Sequence, residues 1–130
     1  MKPVKPKTIL VASRNPDLAD IRKQVLESAG FHVVPASDLR VIERTCQHLR
    51  VDLVIIGYSL PVAEKRRVWV ECRRYCGSIP ILELHLSDPP SLAEEAGVFS
   101  HHSRTPDDFL EAVKTIMART DEKKGKDQSA

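Results

Sequence analysis

Short apolar runs alternate with stretches of helical periodicity along nearly the whole chain. That pattern belongs to a parallel sheet covered by helices on both faces. The clearest run is Val54, Ile55 and Ile56 within DLVIIGYSLP, residues 52–61, ended by Gly57 and punctuated by Pro61. Thr8 to Ala12 (TILVA), FHVVP at 31–35 and IPILELHL at 79–86 read the same way, and Val98 to His101 is a fifth candidate. Between them lie helix signals. Asn15 before Pro16 is a cap followed by proline at the first helical position, and Gly30 supplies a stop. Leu18, Ile21, Val25 and Ala29 recur at helical spacing as that helix's inner face. Asp38 caps a second helix with Val41, Ile42, Thr45, Cys46 and Leu49 inward. A third covers roughly 63–76, with Val68, Cys72 and Tyr75 inward. Ser91 with Glu94 forms a capping box for a very short fourth helix ending at Gly97. A last helix runs from Asp107 to Arg119 on Phe109, Leu110, Val113, Ile116 and Met117. The expectation is one α/β domain over 1–119 and a charged, frayed tail over 120–130.

In such a fold, chemistry collects just past the carboxyl ends of the strands. At that place the DLVII strand carries Gly57, which has no side chain. A glycine at a strand end often just permits a turn, so the question is what else gathers there. Composition narrows the answer little. A net charge of +2 does not demand a nucleic acid, and no aromatic interleaving offers stacking platforms. No apolar stretch approaches the eighteen or so residues that span a bilayer, and MKPVKPKTIL does not read as a signal peptide. Cys46, Cys72 and Cys76 show no secreted framework, which points to a reducing cytoplasm.

The order of the segments resembles a receiver domain, the phosphoacceptor module of bacterial two-component response regulators. ILVASRNPDL resembles the family's first strand and acidic turn, and VLESAGFHVVPASD its first-helix end and second strand. DLVIIGYSLP resembles the acceptor strand with its Leu-Pro, and SIPILELHL the Ile-Pro fourth strand. Ala96-Gly97 and PDDFLEAV resemble the approach to the fifth strand and the last helix. The resemblance spans about Lys7 to Met117. It implies a flavodoxin-like, doubly wound, five-stranded parallel sheet of order 2-1-3-4-5, with helices on both faces. It also implies two-component signalling or a phosphorelay.

The family's chemical residues do not carry over. Its Mg²⁺-holding acidic pair falls on Ser13 and Arg14, its phosphoacceptor Asp on Gly57, and its Thr or Ser on His85. Its Lys falls on His102, or on Arg104 if the gap is placed differently, and the following Pro on Ser103. Phosphoryl transfer needs an in-line nucleophile and Mg²⁺, and Mg²⁺ wants oxygen ligands. The nearest carboxylate on the strand is Asp52, at its far end and roughly 16 Å away. The site positions are therefore degenerate, with no cofactor and no metal expected. With Ser13, Gly57 and His85 replacing charges, the crevice reads as neutral.

The remaining polar residues have plain readings beside functional ones. His85, His101 and His102 could converge at the strand ends and bind zinc or copper, yet no cysteine or carboxylate joins them at ligand spacing. Glu83 shares a face with His85 and either orients it or escapes at a frayed sheet edge. Cys72 and Cys76 read as small core residues. Lys65, Arg66, Arg67, Arg73 and Arg74 form a solvated helix face or a docking patch for an acidic partner. Arg66, Arg67, Arg73 and Arg74, with Trp69 and Phe99, are the candidate partner surface. From His85 to Gly97 the chain is shorter than the family's, so the surface near the fourth helix is remodelled. The expected function is a receiver-like, non-enzymatic signalling module. It docks onto a protein partner, without membrane or nucleic acid, and independently of aspartyl phosphorylation. The alternative is a small metal-binding or catalytic α/β protein that uses the histidine crevice.

Overall fold

The computed structural model describes residues 6–85, 90–92, 94, 95, 97–102 and 106–128. Five strands, β1 (Thr8–Ala12), β2 (His32–Ala36), β3 (Leu53–Ile56), β4 (Ile81–His85) and β5 (Val98–His102), form one sheet. Their order is β2-β1-β3-β4-β5, and every pairing is parallel. Four helices connect and cover them among the described residues: α1 (Pro16–Ser28), α2 (Leu39–His48), α3 (Val62–Tyr75) and α4 (Pro106–Gln128). The expected α/β architecture and strand order are those observed.

Strand alternation divides the core into two layers. Ile9, Val11, Leu53, Ile55, Leu82 and Leu84 point to the side where Leu26 of α1 and Phe109, Val113 and Ile116 of α4 pack. Leu10, Ala12, Val54, Ile56 and Ile81 point the other way, onto Ile42 of α2 and Val68 and Cys72 of α3. The central strands are buried on both faces, which is why they read as unbroken apolar runs. Asn15 caps α1 by accepting from the backbone N–H of Asp17 and Leu18, and Asp38 caps α2 through Arg40 and Val41. Asp52 accepts from the Thr8 backbone N–H at 2.9 Å, fixing the amino ends of β1 and β3 far from the crevice.

Four expectations are corrected. No short fourth helix forms in the described part of 90–97, which is built of turns. Instead of a Ser91–Glu94 capping box, the Glu83 carboxylate takes the backbone N–H of Ser91 and of Leu92, each at 2.8 Å. Glu83 is not at an edge: β4 lies between β3 and β5, and its side chain is fully buried. On α1 the buried positions are Arg22 and Leu26, while Ile21 is 50% exposed. Finally, α4 continues past Arg119 to Gln128, running through Gly125 with no proline to break it.

The cysteines also differ from expectation. Cys46, near the end of α2, and Cys76, just after α3, are joined in a disulfide with their Cα atoms 5.2 Å apart. Only Cys72 is a free, buried thiol. Cysteines 30 residues apart cannot be paired from spacing; the abutting ends of α2 and α3 bring them together. With that pair formed, cysteine usage no longer argues for a reducing compartment.

Candidate functional site

The carboxyl ends of β1 and β3 place Ser13 and Gly57 side by side. The Gly57 backbone N–H donates to the Ala12 carbonyl at 2.8 Å, so both strand ends are pinned before the chain turns away. Ser13 is buried, and its hydroxyl lies 3.4 Å from the Ser59 hydroxyl. It also accepts from the Asn15 backbone N–H at 3.2 Å, which ties the crevice floor to the start of α1. Arg14 turns outward, 61% exposed, and pairs with Glu64 in the first turn of α3. It does not enter the place where a metal would sit.

Another arginine does. Arg22 stands on the buried stripe of α1, one helical turn before Leu26, with only 6% of its surface exposed. Its guanidinium lies over the Tyr58 ring at 5.0 Å from the centroid, a cation–π contact. Its Nη1 is buried and has no hydrogen-bond partner. A Cβ at Gly57 would meet that Nη1 at 2.8 Å, with the Ala12 carbonyl at 3.2 Å and the Ser13 hydroxyl at 3.4 Å. Gly57 does not have a positive φ, so close approach rather than backbone strain is what glycine permits here. Burial pulls the Arg22 pKa down and the neighbouring Tyr58 opposes it, but a guanidinium stays charged in any accessible pH range. The crevice is therefore not neutral. It contains a buried cation where the resemblance would place carboxylates and Mg²⁺.

The histidines separate. His85 and His102 are register partners on β4 and β5, with ring centroids 5.5 Å apart. His101 pairs with Leu84 and so faces the opposite side of the sheet. Its Nε2 is buried without a hydrogen-bond partner, and its pKa is lowered. Burial is the main cause; Asp108 opposes it, and His85 and His102 add to it. His102 thus occupies the end of β5, while Ser103 and Arg104 lie outside the described residues. Among the described residues no group of three His, Cys, Asp or Glu side chains could hold a metal ion. Ser13, Arg14 and Gly57, crossed by Arg22, do not fit Mg²⁺ either. Neither Zn²⁺ nor Mg²⁺ at tenfold excess should move the melting temperature by more than about 1 °C. A saturable rise abolished by His85→Ala or His102→Ala would establish a metal site that the fold does not advertise.

The sequence reading missed a second charged feature. Lys65, expected in the basic surface cluster, is buried, and its Nζ donates to Glu83 at 2.9 Å and to the Leu84 carbonyl at 3.3 Å. Glu83 therefore serves Lys65 and the turn at 91–92, and does not orient His85. Burial alone would raise its carboxyl pKa. Hydrogen bonds from Lys65, Ser91 and Leu92, with the Lys65 charge, outweigh that and hold it below the usual value.

The other basic residues do lie on the outer side of α3. Arg66 pairs with Glu95 at 3.2 Å, Arg74 stands 4.0 Å from Glu71, and Arg73 donates to the Ile79 carbonyl at 2.8 Å. Arg67 is exposed and lines a crevice of about 220 Å³ between the ends of β1 and β2 and helices α2 and α3, with Asp38 and Glu64. Trp69 is half-buried against the α2/α3 core layer, and Phe99 against the α1/α4 layer.

Sheet order, parallel pairing and the strand-end crevice define the fold of response-regulator receiver domains. The signal receiver domain of an HD domain-containing protein from Pseudomonas fluorescens Pf-5 superposes with a TM-score of 0.78 at 16% identity, covering 96% of both chains. The receiver domain of a sensor histidine kinase from Pseudomonas aeruginosa PAO1 has a TM-score of 0.71 at 17% identity, covering 88% of this chain and 99% of that one. That kinase domain carries a magnesium ion coordinated in its active-site cleft. A response regulator from Thermotoga maritima has a TM-score of 0.68 at 20% identity, covering 88% and 99%. No protein-family model and no curated protein matches the sequence. The likeness at these identities is one of fold.

Proposed function

We propose that this chain is a receiver-like signalling module of the two-component type that acts by docking onto a protein partner, without aspartyl phosphorylation and without Mg²⁺. One observation carries the reading. The place of the acceptor carboxylate holds Gly57, and the Arg22 Nη1 lies 2.8 Å from where its Cβ would be. A cation there repels Mg²⁺, and position 57 carries no side chain to act as acceptor. The module keeps the receiver scaffold while its reaction centre is closed to the family's chemistry.

The face of α3 supports docking. Arg66, Arg67 and Arg74 are exposed beside Val62 and Val70, which are 58% and 47% exposed. Positive charge interleaved with apolar side chains suits an acidic protein surface. No helix among the described residues is long and apolar enough to cross a membrane.

The phosphorylation half of the proposal is tested directly. Incubation with acetyl phosphate and Mg²⁺ should leave the intact mass unchanged. Addition of one phosphoryl group, mapped to any crevice residue, would overturn it.

A further inference from the structure

We propose that Arg22 turns the strand-end crevice into an oxyanion-binding site, where its Nη1 and the hydroxyls of Ser13 and Ser59 take a carboxylate or phosphate oxygen. An arginine with 6% exposure has lost most of its hydration, and a buried cation is ordinarily compensated by an anion. Among the described residues Arg22 makes no ion pair; it stands over the Tyr58 ring, and its Nη1 lies beside the Cβ position of Gly57. The cation–π contact with Tyr58 holds the guanidinium plane but leaves the in-plane N–H groups unused. Nη1 is the donor without an acceptor.

The surroundings of that donor are suited to an oxygen anion. The point 2.8 Å from Nη1 and 3.4 Å from the Ser13 hydroxyl is where a side chain at 57 would begin. Ser13 and Ser59 have hydroxyls 3.4 Å apart, and Ser13 donates to the Asn15 carbonyl at 3.3 Å, a long bond that its rotatable O–H can exchange for an incoming acceptor. Tyr58 and Ser59 are half-exposed, so the rim opens to solvent, whereas Arg14 and Glu64 satisfy each other outside it. Among the described residues no carboxylate pairs with Arg22, and guanidinium donors match carboxylate and phosphate oxygens geometrically. The receiver fold here reverses polarity: a resident cation awaits an anion, in place of resident carboxylates awaiting a cation. Two sources supply such an oxygen, a free phosphate compound or an acidic side chain presented by a partner.

The test measures thermal stability of the full chain in inorganic phosphate, acetate or chloride at equal ionic strength. Inorganic phosphate donates no phosphoryl group, so this result is independent of the acetyl phosphate experiment. Saturating phosphate should raise the melting temperature by about 4–8 °C over chloride. A rise with phosphate alone identifies a phosphate ligand, and an equal rise with acetate identifies a carboxylate. Arg22→Met should abolish the rise and Ser13→Ala should reduce it. Gly57→Asp retains Arg22 and supplies a carboxylate within the chain. A Cβ there crowds Nη1 and the Ala12 carbonyl, so its own melting temperature in chloride is the baseline, and it should gain nothing further from phosphate. Three results would each overturn the proposal: no anion-dependent rise in the parent, a rise undiminished in Arg22→Met, or a full phosphate response in Gly57→Asp.

Discussion

Lys65→Met should cost about 3–5 kcal/mol of folding stability, read from urea unfolding, because it leaves the Glu83 carboxylate buried without its cation. The Glu83 side chain is fully inside, and Lys65 supplies its one paired cation among the described residues, at 2.9 Å. Glu83→Leu should cost a similar amount for a different reason. It strips the acceptor from Lys65 and from the backbone N–H of Ser91 and Leu92, each bonded at 2.8 Å in the parent. Leu92 is itself fully buried, so loosening that turn also opens the α2/α3 layer. The pH dependence has a definite sign. A carboxyl held below its unfolded value of about 4.3 contributes stability that is complete above that pH. The contribution is lost as pH falls through the lower, folded value. Acid unfolding of the parent should therefore steepen below about pH 4, and Glu83→Gln should flatten that limb. A loss under 1 kcal/mol for Lys65→Met would mean that Glu83 finds solvent or a proton, and that the pair does not organise the turn.

That pair shows what a sequence can and cannot disclose. The layers were legible because burial on both faces writes itself as runs such as Val54, Ile55 and Ile56, and helix caps such as Asn15 and Asp38 have local causes. Charges at buried positions were not legible, because an apolar-stripe reading passes over them. Arg22 lies four residues before Leu26 and four after Leu18, yet the apolar neighbour Ile21 is the one that fits a helical stripe of apolar residues, and it is half exposed. Lys65 likewise precedes Val68 and Cys72 on one stripe of α3. The available signal was a lone acid, Glu83, inside an apolar strand, which requires a cation somewhere on the facing helix. The emptiness of the acceptor position was plain from Gly57. What fills it depends on the reach of a long side chain from another element, and no spacing encodes that. The His85 and His102 contact followed from strand register, and His101 fell away by the same alternation.

Reduction of the Cys46–Cys76 disulfide should lower stability by about 3–4 kcal/mol, the chain-entropy value for a loop of this length. The two residues are 30 apart, and the bond ties the carboxyl end of α2 to that of α3. Ile42 of α2 already packs in one layer with Val68 and Cys72 of α3. The cross-link therefore adds few native contacts, and its effect falls on the unfolded chain, which it prevents from expanding. Cys46 and Cys76 line a surface cavity of about 370 Å³, so a reductant reaches them in the folded protein. Cys72, one helical turn away, does not compete for the bond. Burial pushes its thiol up to about 12, against a smaller lowering by Arg73 and with a further rise from Glu71. It remains protonated at neutral pH and attacks no disulfide. Urea midpoints with and without reductant, together with Cys46→Ala, measure the effect. Alkylation of the folded, reduced chain should label Cys46 and Cys76 and spare Cys72. Equal midpoints in both conditions would show that packing alone fixes the ends of α2 and α3. Labelling of Cys72 at the same rate as the other two would show that the core around α3 opens when the bond is cut.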